Sequence, residues 1–201
     1  HVDEQQDYWR IAHFMLPIHA LIPQSVLGLR VAVRSWVPMD DEHTMAFNMS
    51  IVRTDGNARQ SPRPTMHDNS TDWYGRFRPV GNATNDYEID RDKQRRSESF
   101  TGIPTITMQD QAVTESMGAI YDRTHEHLGT SDAMIIRTRR RLINAARAFA
   151  DEGVIPPGVD HPEFYAQRSG GVLLPKGADW VGATNELRKA FVEHPELDKT
   201  L

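Results

Sequence analysis

Residues 105–129, TITMQDQAVTESMGAIYDRTHEHLG, concentrate groups that do chemistry: carboxylates, a His125-Glu126-His127 triplet and the neighbouring Arg123. Carboxylate and imidazole together form a common donor set for divalent first-row metals. Residues i and i+2 share a face on a strand but not on a helix, so His125 and His127 chelate together only if the segment is extended. It lies between two predicted helices, where capping or ion pairing with Arg123 is the plainer role. Asp110 has a different setting, between Gln109 and Gln111 near the start of a predicted helix, beside Ile106, Met108 and Val113. The helix dipole alone accounts for an aspartate in a first turn, and a metal-ligand role is the other reading open to it.

Two further groupings invite the same question. His13 and His19 flank Pro17, and a core or cavity-lining role is the expectation for both. The run Arg137-Thr138-Arg139-Arg140-Arg141 falls inside a predicted helix. Five helical positions sweep more than one turn, so these arginines are expected on a solvated or ion-pairing face rather than against one polyanion. A net charge of −5 over 201 residues also argues against a general nucleic-acid binder. The absence of cysteine excludes disulfides, thiolate nucleophiles and iron–sulfur ligation by this chain. No apolar run approaches the roughly 18–20 residues that span a bilayer, and with no export signal a cytoplasmic location is expected. The chain opens at His1-Val2, as a processed chain or a piece of a longer protein does.

The elements that must position these groups divide by periodicity. YWRIAHFML (8–16) reads as a strand limited by Pro17. LRVAVRSWV (29–37) and TMAFNMSIV (44–52) alternate apolar and small or polar residues, and PMDDEH between them predicts a hairpin. From about 54 to 99 the pattern gives way to a long polar loop carrying Trp73, Tyr74, Phe77 and Tyr87, aromatics that suggest docking on a neighbour. MQDQAVTESMG predicts a short helix entered after Pro104 and left at Gly118. The clearest helix spans 131–153, with Ser131 as cap, Ile135, Leu142, Ala146 and Phe149 at helical spacing, and Gly153 as stop. A shorter one is expected over 183–194. Strands followed by a long amphipathic helix predict an α+β domain whose curved antiparallel sheet holds a helix over an apolar cavity.

Several motifs together carry a family resemblance: FTGI, QDQAVTESMG, DRT-x-EHLG-x-SD, RRRLINAAR and PPGVD, with DYEIDRDKQ and WRIAHFMLPIHALIP upstream. In these the chain resembles the C-terminal catalytic domain of Rieske-type non-haem iron aromatic-ring oxygenase α-subunits, in particular the phthalate 4,5-dioxygenase-like group. The resemblance covers most of the chain. It implies a helix-grip (Bet v 1/START-like) fold, incomplete at its N-terminus, with residues 1–201 forming a single partial catalytic domain. It implies a mononuclear Fe(II) held by two histidines and one carboxylate, the carboxylate mapping onto Asp110. The two histidines would come from an Asp/Glu-x2-His-x4-His segment upstream of the first strand, a pattern this chain lacks. The Rieske 2Fe-2S cluster would likewise sit in a domain outside these residues, and the 201 residues alone are expected to be inactive.

The implied reaction is hydroxylation or O-demethylation of an aromatic substrate with O2. Electrons would come from an NAD(P)H-dependent reductase, and the assembly would be a homotrimer or stacked trimers, with neither nucleic acid nor membrane as partner. Aromatic carboxylates need a cationic anchor, for which Arg10 is the expected residue; Phe47, Met49, Val113 and Met117 are the expected cavity-lining residues. The rival reading is a non-enzymatic helix-grip domain that binds a small hydrophobic ligand. A third, compatible with the first, is an interaction module that docks through its long loop.

Overall fold

Antiparallel pairing dominates the first fifty residues of the computed structural model, which describes residues 4–51, 66, 72–73 and 75–194. The chain divides into two compact units, one formed by His1–Ala58 with His127–Leu201 and the other by Arg59–Glu126. The architecture is α+β.

In the first unit, β1 (Gln6–Ile11) pairs with β6 (Gly170–Pro175), while β2 (His13–Met15), β3 (His19–Leu21), β4 (Val31–Pro38) and β5 (Thr44–Ile51) form a four-stranded meander in chain order. The stretch 8–16, read from sequence as one strand, therefore splits at Ala12 between two sheets. Its first half finds a partner 160 residues on in sequence order, a pairing that local alternation does not encode: Tyr8 faces Leu173 and Arg10 faces Gly171. The predicted hairpin forms over the full length of β4, from Pro38↔Thr44 to Val31↔Ile51.

The buried centre of this unit comprises Ile11, Leu21, Leu27, Leu174 and Ala190. Leu21 and Leu27 are almost fully covered, and each contributes on the order of 1.5–3 kcal/mol by leaving water. The segment 25–28 is tied to β6 by backbone bonds from Leu27 N–H to the Gly171 carbonyl at 2.9 Å and from Gly171 N–H to the Ser25 carbonyl at 2.7 Å. Gly170 permits this approach, because a Cβ there would lie 2.5 Å from Leu27 Cα. Two side chains complete the clamp: Ser169 donates to the Ile22 carbonyl at 2.9 Å, and the Arg168 guanidinium donates to that of Gly28.

The long helix, α3 (Ala133–Glu152), ends as expected at Gly153, which adopts φ 68°. At its start the cap residue is Asp132 rather than Ser131, and the Asp132 carboxylate accepts from Gly129 N–H at 2.8 Å. No α3 residue is buried, and Ile135 and Phe149 of the apolar stripe are exposed. The helix expected over 183–194 does not form there: α4 spans Trp180–Ala183 and ends where that range begins. Beyond it the backbone pairs sideways, with Arg168 N–H donating to the Arg188 carbonyl and Ala190 N–H to that of Ala166, which diverts the helical ladder. Trp180 instead stacks on Trp9, ring centroids 5.6 Å apart.

The second unit holds structure where the sequence shows only polar loop. A 3-10 turn at Ala83–Glu88 is capped by Asn82, and α1 (Arg91–Arg95) is capped by Asp90. These precede α2 (Ile106–Glu115). Tyr87, Ile103 and Met108 form its core, with Ile89 and Ala112 packed around them. Of the loop aromatics, Tyr87 is buried while Trp73 and Phe77 are exposed; Tyr74 lies outside the described residues.

Candidate functional site

Helix α2 carries Asp110, the residue that the family resemblance implies as a metal-ligating carboxylate. Thr105 caps it, its hydroxyl accepting from Met108 N–H at 3.2 Å, and Gln109 reaches back to the Ile103 carbonyl at 3.1 Å. Residues three and four apart share a helical face. Ile106, Asp110 and Val113 follow that spacing and all three are exposed, as is Met117 in the turn after the helix. Val113 is 67% exposed, so this apolar strip is no part of the unit's core. The opposite side, carrying Met108 and Ala112, packs on Tyr87 and Ile103. Asp110 thus stands as a carboxylate within an exposed apolar strip. Its carboxylate makes no hydrogen bond or ion pair among the described residues; only its backbone carbonyl is engaged, by Thr114.

What holds α2 in this orientation was not legible in the motif. The Tyr87 phenol donates to Glu115 at 3.0 Å, and Gln111 donates to the other oxygen of the same carboxylate at 2.6 Å. Burial, aided by Glu115, raises the Tyr87 phenol above its ordinary pKa. Asp86, Tyr87 and Glu88 all adopt left-handed backbone conformations, with φ of 52°, 55° and 55°. The signal available in sequence was an isolated aromatic amid charged residues in NDYEID.

The other expected site residues belong to the first unit. Phe47 and Met49 lie on one face of β5, opposite Ser35 and Val33 of β4, and are 48% and 52% exposed. Arg10 lies on β1, where its guanidinium donates to the Pro23 carbonyl at 3.1 Å. The structure therefore places Asp110 and Val113 on α2 with Met117 in the turn just after it, pairs Phe47 with Met49 on β5, and sets Arg10 in the other sheet.

The surroundings of the histidines are local. Asp122 caps a 3-10 turn at Arg123–His125, and Arg123 pairs with Glu126 at 3.6 Å. His19 Nδ1 lies 2.7 Å from the Ser35 hydroxyl. His13 is half-buried, and its Nε2 lacks a hydrogen-bond partner among the described residues. Burial pushes its pKa below the ordinary value, reinforced by the charge of Arg188 and partly opposed by a backbone hydrogen bond at Arg168. Among the described residues, no group of three or more His, Cys, Asp or Glu side chains could hold a metal ion. No helix among them is long and apolar enough to cross a membrane.

Comparison with known proteins decides the family. The family model described as LigXa C-terminal domain like matches residues 2–199. The chain belongs to the LigXa C-terminal-domain-like family. Among curated members of this circle, the 3-chlorobenzoate-3,4-dioxygenase oxygenase subunit of Comamonas testosteroni is 46% identical over 204 residues, covering 94% of this chain and 47% of that relative. The phthalate 4,5-dioxygenase oxygenase subunit of Pseudomonas putida is 33% identical over 159 residues, covering 76% of this chain and 35% of that relative. The resemblance to phthalate 4,5-dioxygenase-type subunits read from the motifs is borne out. The chain spans about half and about a third of the lengths of these two relatives, so the LigXa-like region is the part of them under comparison.

Proposed function

We propose that this chain is the catalytic-domain portion of a Rieske-type non-haem iron oxygenase acting on an aromatic carboxylate, with Asp110 as the carboxylate ligand of its mononuclear Fe(II). The observation that carries this reading is the exposed face of α2, where the Asp110 carboxylate has no partner among the described residues and lies between Ile106 and Val113. An aspartate kept for solubility alone would not need apolar neighbours one turn away on both sides. The donor chemistry fits: a carboxylate oxygen is a normal ligand of a two-histidine, one-carboxylate iron site. The described residues supply this one ligand, and the two histidines are proposed to come from outside the chain. Bound Fe(II) would supply the activation of O2 for hydroxylation or O-demethylation.

Within that frame the protein's own work is orientation and exclusion of water. The Tyr87–Glu115–Gln111 linkage fixes the packed side of α2 and so the direction in which Asp110 points. Val113 and Met117 are proposed as apolar substrate-lining residues of the second unit, and Phe47 and Met49 as substrate-lining residues of the first. Arg10 is retained as the carboxylate anchor on chemical grounds; its Nη2 donates to the Pro23 carbonyl, and the guanidinium has further N–H donors to offer a substrate. An NAD(P)H-dependent reductase, a Rieske cluster in another domain, a trimeric assembly and a cytoplasmic location complete the proposal.

The fold proposed for the first unit is a helix grip. Supporting it, the first unit leaves two apolar surfaces uncovered: the Phe47, Met49 and Ile51 face of β5, and the stripe of α3 carrying Ile135 and Phe149. Two such faces in one unit are what a sheet gripping a helix would bury.

The test is iron content and turnover of the whole protein as its host makes it. Asp110→Ala is expected to lower bound iron at least tenfold and abolish turnover, while Asp110→Glu keeps part of the iron. Undiminished iron in Asp110→Ala sinks the ligand assignment. Turnover of the parent with neither chlorobenzoate nor phthalate nor any other aryl acid sinks the substrate class.

A further inference from the structure

The arginines of α3 are not dispersed evenly around the helix. Arg137, Arg140 and Arg141 are spaced i, i+3 and i+4, and all three line one groove of about 510 Å³ in the first unit. Apart from Asn144, its remaining wall is apolar, formed chiefly by Leu16, Ala148 and Pro156. From Ala133 to Ala150 the helix carries five arginines and no acid. Among the described residues, Arg137, Arg140 and Arg141 have no ion-pair or hydrogen-bond partner. Like charges at i, i+3 and i, i+4 repel by a few tenths of a kcal/mol per pair, and here no acid among the described residues pairs with these three to offset that cost. A volume of this size falls in the range of small-molecule sites.

We infer that this groove binds an aryl carboxylate, its carboxylate held by Arg137, Arg140 and Arg141 and its ring laid on the Leu16, Ala148 and Pro156 wall. Three features select that occupant. Guanidinium forks match a carboxylate bidentately. Guanidinium planes also stack on aromatic faces, which an alkyl chain does not offer. The apolar wall rewards burial of an uncharged ring and gives nothing to a bare inorganic anion. The inference is independent of the role assigned to Asp110, and either can fail alone.

The experiment is photolabelling of the whole protein with 4-azidobenzoate, followed by peptide mapping, with benzoate, benzamide and inorganic phosphate as competitors. Label is expected on peptides containing Leu16 or residues 137–157, displaced by benzoate and at least tenfold less by benzamide or phosphate. The double variant Arg137→Gln, Arg141→Gln is expected to lose at least tenfold of that label with its helical circular dichroism unchanged. Ala148→Leu, which fills the groove and keeps every arginine, is expected to reduce it as well. Label confined to other peptides overturns the inference, as does equal displacement by benzamide, equal displacement by phosphate, or undiminished label in both variants. Asp110→Ala serves as the separating control: groove label is expected to persist in it.

Discussion

The Tyr87 phenol and the Glu115 carboxylate meet at 3.0 Å and connect a capped 3-10 turn to the last residue of α2, five positions beyond Asp110. Tyr87 is only 7% exposed, so its ring belongs to the core and its hydroxyl to the linkage. Tyr87→Phe keeps the ring and is expected to cost about 1 kcal/mol, the net worth of one hydrogen bond. Tyr87→Ala is expected to cost about 3–5 kcal/mol through the cavity it leaves. Urea unfolding of the two variants separates the contributions. Equal losses would mean that the hydroxyl, not the packing, dominates.

Gly102 is a second point where the sequence has no freedom. It adopts φ 72°, and a Cβ there would lie 2.7 Å from the Asp90 carbonyl oxygen. That carbonyl belongs to the cap of α1, and Asp90 N–H already bonds the Gly102 carbonyl at 3.0 Å. Gly102→Ala is expected to destabilise by about 2–3 kcal/mol, combining left-handed strain with a backbone clash. Gly153→Ala is the matched control, since its φ of 68° is similar but nothing lies within 4 Å of the added carbon. It is expected to cost about 1 kcal/mol. Thermal melts of the pair isolate the clash.

His13 gives stability a definite pH dependence. Its folded-state pKa lies below the ordinary 6.5, chiefly through burial. Above 6.5 both folded and unfolded His13 are neutral and the group exerts no pull. As pH falls below 6.5 the unfolded chain takes up the proton first, so stability declines until the folded pKa is passed. Denaturant midpoints are expected to fall between pH 6.5 and 5 in the parent and to fall less in His13→Gln. A parallel decline in both proteins would assign the effect to other groups.

The helix-grip proposal carries its own stability signature. If the β5 face and the α3 stripe are buried together in the whole protein, Met49→Lys and Phe149→Lys are each expected to cost about 2–3 kcal/mol, because each drives a charge into an apolar contact. Exposed faces would give changes within about 0.5 kcal/mol. A double variant far from additive would further indicate contact between the two residues.

Much of this was legible where the signal is local. The alternation of Met45, Phe47, Met49 and Ile51 against β4 needs only neighbouring residues, and the hairpin formed in register. Gly153 ended its helix as read because a left-handed stop is decided within one turn. The failures are non-local. Ile11 and His13 belong to different sheets because β1 pairs with Gly170–Pro175, far along the chain. The segment after Ala183 leaves the helix because its backbone finds partners at 166–168. At the candidate site, Asp110 could be singled out by resemblance. Its support by Tyr87 could not, since that contact joins residues 28 positions apart across a stretch without periodicity.

The three left-handed residues at 86–88 invert the usual rule of substitution at their positions. Asp86 and Glu88 are exposed and pay for their mirror-image backbone without burying anything. At these two positions glycine, ordinarily the most disruptive choice, would be the more comfortable residue, with about 1 kcal/mol to be gained at each. Tyr87 between them cannot be exchanged on the same terms, because its ring and hydroxyl are committed to α2. The turn is therefore a place to engineer robustness without touching the helix face it supports.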